Sequence, residues 1–184
     1  MPSCVIIIAM NFYSRAELIE EMKHIALLKG EFTLRSGRTS SWYFDKYRFE
    51  GNPRIMRSVA HHMARLVPSE VHRIAGIELG GIPLATALAL ETDIPAVFVR
   101  KSAKDYGTEK QIEGIHAPGD NFLVVEDVVT TGGQAVVLIK QLREQGLNIC
   151  GCLAVLDREE GSREAFEGED IPFWSLFCRD DFGF

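Results

Sequence analysis

The chain has 184 residues, 46% hydrophobic and 25% charged, with a formal net charge of −6 at pH 7 and a mean hydropathy of +0.01. Surface scaling at 20.6 kDa gives roughly 8,900 Å² folded against roughly 30,000 Å² extended, so about 70% of the surface can be buried around one sizeable core. Such a composition excludes a disordered or fibrous chain, a pI near 5.4 argues against general nucleic-acid binding, and four cysteines are too few for a disulfide scaffold.

The apolar run Cys4–Met10 is too short for a bilayer, which needs about 20 residues, and no basic residue precedes it as in a signal peptide. It is expected to form a strand or a tail packed on a neighbour, or to be an extension ahead of a natural start at Met10. A reducing, cytoplasmic setting without membrane attachment is expected either way. Ser14-Arg15-Ala16-Glu17 is a capping box. Leu18, Ile19, Met22, Ile25, Ala26 and Leu28 follow with helical spacing, and Gly30 offers a stop. Residues 31–50 read as two short strands around Ser36-Gly37-Arg38. Asn52-Pro53 opens a helix to about Leu66, before Pro68. From Ile74 the rhythm changes: strands over Ile74–Leu79, Ala96–Val99, Phe122–Val125, Ile149–Leu156 and Phe173–Phe177 alternate with helices, among them Gln134–Gln145. This alternation predicts an α/β fold with a mostly parallel central sheet flanked by helices. Cys150 and Cys152, two apart on a strand, are expected to share a face. Lys101–Asp120 reads as the one long linker-like stretch. Ligands of such sheets bind beyond the carboxyl ends of the strands.

The segment Phe122–Gln134, FLVVEDVVTTGGQ, runs from an apolar strand into Glu126 and Asp127 and then into Thr130-Thr131-Gly132-Gly133 before a helix. Small residues at a helix N-terminus expose backbone N–H groups at the positive end of the dipole, a pocket for a phosphate monoester. The carboxylates repel phosphate and suit a ribose diol or a magnesium shell. Neither a Walker A loop nor a GxGxxG fingerprint occurs.

This segment resembles the 5-phosphoribosyl 1-diphosphate (PRPP) signature of the type I phosphoribosyltransferases. The resemblance implies that Glu126 and Asp127 bind ribose, and that Asp127, Val128, Val129, Thr130, Thr131, Gly132 and Gly133 line the phosphate pocket. Arg100-Lys101-Ser102-Ala103-Lys104-Asp105-Tyr106-Gly107 resembles the catalytic loop of the orotate phosphoribosyltransferases. It implies that Arg100, Lys101 and Lys104 contact diphosphate, partly across a homodimer interface, with Lys104 neutralising the leaving group. Lys104 and Asp127 are thus the catalytic candidates. Tyr106 stands where some members carry histidine. Gly30–Ser41 resembles the orotate-binding segment, with Arg35 where members often have lysine; arginine keeps the charge but changes reach and hydrogen-bond geometry. Glu78–Ala85 resembles the diphosphate-binding loop. Some members have lysine at the position of Gly80, so Gly80 and Gly81 would act through backbone. Arg158 follows the fourth strand and can clamp a planar carboxylate; by resemblance it binds orotate, with Arg35 and Thr130. Among the histidines, His24, His61, His62 and His72 read as structural or surface groups, and a diphosphate contact stays open for His116.

The resemblance spans about residues 14–178. It implies a single phosphoribosyltransferase domain, with about 11–50 plus the C-terminus forming a small hood and about 70–160 the PRPP-binding core. The implied reaction joins orotate and PRPP to give orotidine 5′-monophosphate and diphosphate, with Mg²⁺ held mainly by PRPP and no nucleophile required. Two alternatives remain: a phosphoribosyltransferase for another base, which would not need Arg158, and a non-catalytic PRPP-sensing regulator, which would not need Lys101 and Lys104.

Overall fold

The computed structural model describes residues 12–33, 39–100 and 111–183. Helix α1 (Arg15–Ala26) starts at the expected capping box: Glu17 N donates to Ser14 Oγ at 3.3 Å, and Ser14 N donates to Glu17 Oε2 at 2.8 Å. It buries Leu18, Ile19, Met22 and Ala26. It ends earlier than the spacing predicts, because Leu27 is already extended and Gly30 lies inside strand β1 (Leu27–Thr33) instead of stopping the helix. β1 pairs antiparallel with β2 (Thr39–Phe44); the turn expected at Ser36-Gly37-Arg38 lies outside the described residues. Past β2 the chain turns into a short helix, α2 (Lys46–Glu50), where the sequence suggested only extended structure. Helix α3 (Pro53–Met63) begins as expected, with Asn52 Oδ1 accepting from Arg54 N and Ile55 N and with Pro53 at a position where a missing N–H costs nothing. A 3₁₀ turn over Ala64–Leu66 carries it to the predicted end.

The main sheet contains β3 (Arg73–Ile77), β4 (Ala96–Val99), β5 (Ile112–Glu113), β6 (Asn121–Val129), β7 (Asn148–Asp157) and β8 (Phe173–Cys178), in the order β5-β4-β3-β6-β7-β8. Its pairs are parallel except β4–β5. The fold is therefore α/β with a mostly parallel sheet, as predicted. Such strands are covered on both faces and so read as continuous apolar runs. Helix α4 (Glu78–Thr92) links β3 to β4 on one face, where Leu84, Ala85 and Leu88 pack with Leu18, Met22, Phe49, Ile55 and Val125. Helix α5 (Gly133–Glu144) links β6 to β7 on the other, where Ala135, Val136, Ile139 and Leu142 pack with Val97, Val124 and Phe166. The chain thus leaves β3 toward one edge and β6 toward the other. The neighbouring pair β3–β6 is a topological switch point, where connections diverge and a crevice opens.

Several boundaries differ from the sequence expectation. β3 stops at Ile77, not Leu79, because Glu78 adopts φ +53° and opens α4. β6 continues through the acidic pair to Val129. The stretch read as a linker contributes β5 at the sheet edge. The short helices α6 (Ser162–Glu167) and α7 (Arg179–Phe182) carry too few residues for periodicity to announce them.

Cys150 and Cys152 do not share a face. The β6–β7 ladder pairs Phe122 with Ile149 but Leu123 with Gly151, so β7 carries one extra residue there. This β-bulge puts Cys150 against the α4-side core and Cys152 into the α5-side core. Cys150 Sγ approaches Phe122 O at 3.1 Å, and burial raises the thiol pKa of both residues. Cys150, Cys152 and Cys178 are free thiols. Among the described residues, no helix is long and apolar enough to cross a membrane.

Candidate active site

The crevice at the β3–β6 switch point is a cleft of about 340 Å³. The end of β3 and the start of α4 give it Ile77, Glu78 and Gly80; the end of β6 gives it Glu126, Asp127, Val128 and Val129; the turn into α5 gives it Thr130, Thr131, Gly132 and Gly133. It thus gathers residues from two of the sequence motifs. Thr130 and Thr131 are exposed, and Gly132 takes φ +74° as the residue capping α5, a left-handed conformation that glycine adopts without strain. This places the small-residue turn at the N-terminus of a three-turn helix, so its backbone N–H groups suit an anion.

Adjacent on one strand, Glu126 and Asp127 face opposite sides of the sheet. Asp127 is 2% exposed. Its Oδ1 accepts from Val128 N, and its Oδ2 meets Lys46 Nζ at 2.5 Å. It lies against the start of α4 where Gly80 has no side chain: a Cβ there would sit 2.7 Å from Asp127 Cγ. Gly81 has a different surrounding, since its missing Cβ faces Val125 O and Gly76, which lets α4 pack close to the sheet. Burial pulls the Lys46 pKa down, but the Asp127 carboxylate, by charge and hydrogen bond, brings the net shift upward. One helical turn on, Glu50 is half-buried. Burial first, then the neighbouring Asp127 carboxylate, pushes its carboxyl up to about 8, against the opposing pull of Lys46.

Arg158 follows β7, its N–H donating to Val129 O at 2.8 Å, so its backbone is tied to the cleft-forming end of β6. Its guanidinium stands 4.9 Å from the centre of the Trp42 ring and pairs with Glu160 at 2.8 Å. Asp157 before it is fully buried, its Oδ1 accepting from Ser162 Oγ at 2.6 Å and Glu159 N at 2.9 Å. Arg100 N donates to Gln111 O at 3.0 Å, and Arg100 borders a neighbouring groove that shares Glu78 with the main cleft. Arg35, Lys101, Lys104 and Tyr106 lie outside the described residues.

His116 packs edge-on against Phe122, at the start of β6, the end remote from the cleft. His61 stacks on Phe12 and bonds Glu91, His62 bonds Tyr13 O, and His72 Nδ1 accepts from Asn121 N. All are structural contacts.

The sequence reading missed Lys46, Glu50, Gln134 and Trp42. Lys46 and Glu50 stand four apart, a helical spacing, yet the aromatic run around them reads as strand. Gln134 and Ala135, in the first turn of α5, also line the cleft.

The phosphoribosyl transferase domain family matches residues 48–180. Orotate phosphoribosyltransferase of Methanocella arvoryzae is 47% identical over 161 residues, covering 87% of this chain and 92% of that protein. The enzyme of that name from Pyrococcus furiosus is 43% identical over 166 residues, covering 88% and 91%. A crystal structure of Mycobacterium tuberculosis orotate phosphoribosyltransferase in complex with 5-phospho-alpha-D-ribosyl 1-diphosphate superposes with a TM-score of 0.78 at 31% identity, covering 92% of this chain and 99% of that one. With the cleft at the switch point, the acidic pair and the threonine–glycine turn in place, the chain belongs to the orotate phosphoribosyltransferases, pentosyltransferases of the phosphoribosyl transferase domain family.

Proposed function

We propose that the cleft transfers the 5-phosphoribosyl group of PRPP to orotate, giving orotidine 5′-monophosphate and diphosphate. The observation that carries this reading is the convergence of the acidic strand end and the Thr130–Gly133 turn in one cleft. In it, Thr130, Thr131, Gly132, Gly133 and the backbone of Val128 and Val129 hold the 5-phosphate at the α5 N-terminus. Glu126 and Asp127 accept hydrogen bonds from the ribose hydroxyls. Gly80, Gly81 and Arg100 border the diphosphate, joined by Lys101 and Lys104. Arg158, Arg35 and Thr130 hold orotate; a guanidinium makes two parallel bonds to a carboxylate.

The chain's chemical task is then positioning and charge stabilisation. As the ribosyl–diphosphate bond breaks, positive charge develops on the ribose, which Asp127 and Glu126 stabilise, while the cations stabilise the departing diphosphate. Glu126 and Asp127 supply hard carboxylate oxygens beside the anion-binding turn, a donor set that fits Mg²⁺. The ion would be held mainly by PRPP and would neutralise charge on the leaving group. The reading includes a homodimer sharing loop residues, a cytoplasmic setting, and a hood of about residues 11–50 with the C-terminus over a core of about 70–160.

The test is ultraviolet detection of orotate consumption with PRPP and Mg²⁺, comparing wild type with Lys104→Ala. Loss of orotate in the wild type and a large fall in kcat for the variant support both substrate and loop assignment. Persistence of orotate while PRPP binds would redirect the substrate to another base or the protein to PRPP sensing.

A further inference from the structure

We propose that α2 sets the orientation of the Asp127 carboxylate through one positioning residue, Lys46 at the cleft wall. The inference rests on the reading of Asp127 as a ribose-binding carboxylate and goes beyond it, because no motif of the sequence includes α2.

Two observations meet at this point. First, Lys46 Nζ lies 2.5 Å from Asp127 Oδ2, and Lys46 also lines the cleft. A carboxylate that is 2% exposed needs a charge partner to stay ionised, and Lys46 is the ammonium beside it. Second, the slot that holds this pair exists because Gly80 is bare. A Cβ on Gly80 would overlap Asp127 Oδ2 and come within 3.0 Å of Lys46 Nζ. α4 and α2 therefore form two walls of one socket.

Lys46 neutralises Asp127 and holds Oδ2 in place.

The test uses the full-length chain with PRPP, orotate and Mg²⁺. Lys46→Met is expected to lower kcat/KM for PRPP by about 10- to 100-fold, the range for losing a charge-assisted bond, with Lys46→Arg recovering part of it. In an Asp127→Asn background, Lys46→Met is expected to cost less than about threefold more, because a residue acting through Asp127 has nothing left to position. Full additivity overturns the proposal and makes Lys46 a direct ligand contact. Thermal melts identify a variant that has lost its fold, in which case Lys46→Arg, the conservative change, decides the matter. Inactivity of the wild type toward orotate would count against the functional reading itself, whereas an active wild type with indifferent Lys46 variants would count against this inference alone.

Discussion

Gly80 and Asp127 occupy one space: the carboxylate of one lies where the side chain of the other would be. Gly80→Ala therefore cannot be accommodated without moving Asp127. The G80A variant is expected to lose about 100-fold in kcat/KM, the size of effect produced by a displacement of about 1 Å at a reacting centre. Its fold should persist, since alanine is the better helix former by about 0.5–1 kcal/mol. Steady-state kinetics beside a thermal melt separates the two effects.

The Glu50 carboxyl, pushed up to about 8 from an unfolded value of 4.5, makes stability depend on pH. Between these values the folded state holds a proton that the unfolded state has released. Stability from this group is full below about pH 4.5 and declines as pH rises to about 8. Glutamine at position 50 carries no such dependence. The E50Q variant should thus gain on wild type with rising pH, by roughly 1 kcal/mol after allowance for solvent screening, or about 2–4 °C in Tm. Melting curves for both proteins at pH 5, 7 and 9 measure it; a gap that narrows with pH contradicts the assignment.

Arg158 stacks on Trp42 and pairs with Glu160, so its guanidinium is held from two sides. Arg158→Ala should raise KM for orotate about 30- to 100-fold, the loss expected for a bidentate carboxylate contact, and change KM for PRPP less than about threefold. Trp42→Ala should cost less, about fivefold, as the loss of a cation–π contact. Initial rates with each substrate varied in turn provide the comparison. Equal loss for both substrates would show that Arg158 supports the cleft generally.

Gly132 combines φ +74° with close packing, since a Cβ would lie 3.0 Å from the Phe166 ring. Gly132→Ala should destabilise the protein by about 1–2 kcal/mol through the left-handed backbone alone. It should also weaken PRPP binding, because the turn it shapes presents the α5 N-terminus. Calorimetric titration with PRPP, paired with urea unfolding, tests both parts; loss of stability with unchanged affinity would separate the turn from the ligand.

Much of this site was legible because its chemistry is local in sequence. Glu126 to Gly133 follow one another from strand to turn to helix, and their order states their surroundings. The helix cap at Ser14 and the apolar core strands are equally local. The place of Lys46 was not legible, because it arises only when α2 brings it against Asp127 of β6. The aromatic residues Trp42, Tyr43, Phe44, Tyr47 and Phe49 also favour a strand reading, and tertiary packing of Phe49 in the core overrides it. The opposed faces of Cys150 and Cys152 were hidden for another reason: strict alternation assumes that no residue is inserted, and one is.

That inserted residue has a mechanical consequence. The bulge separates the start of β7, fed by the turn after α5, from the stretch Gly151–Asp157 that delivers Arg158 to its place beside β6. Downstream of it the ladder is continuous and fixes its own alignment on β6. The bulge therefore works as an expansion joint: changes in the length of the Gln145–Leu147 connection can be taken up at Cys150, leaving the register that carries Arg158 undisturbed.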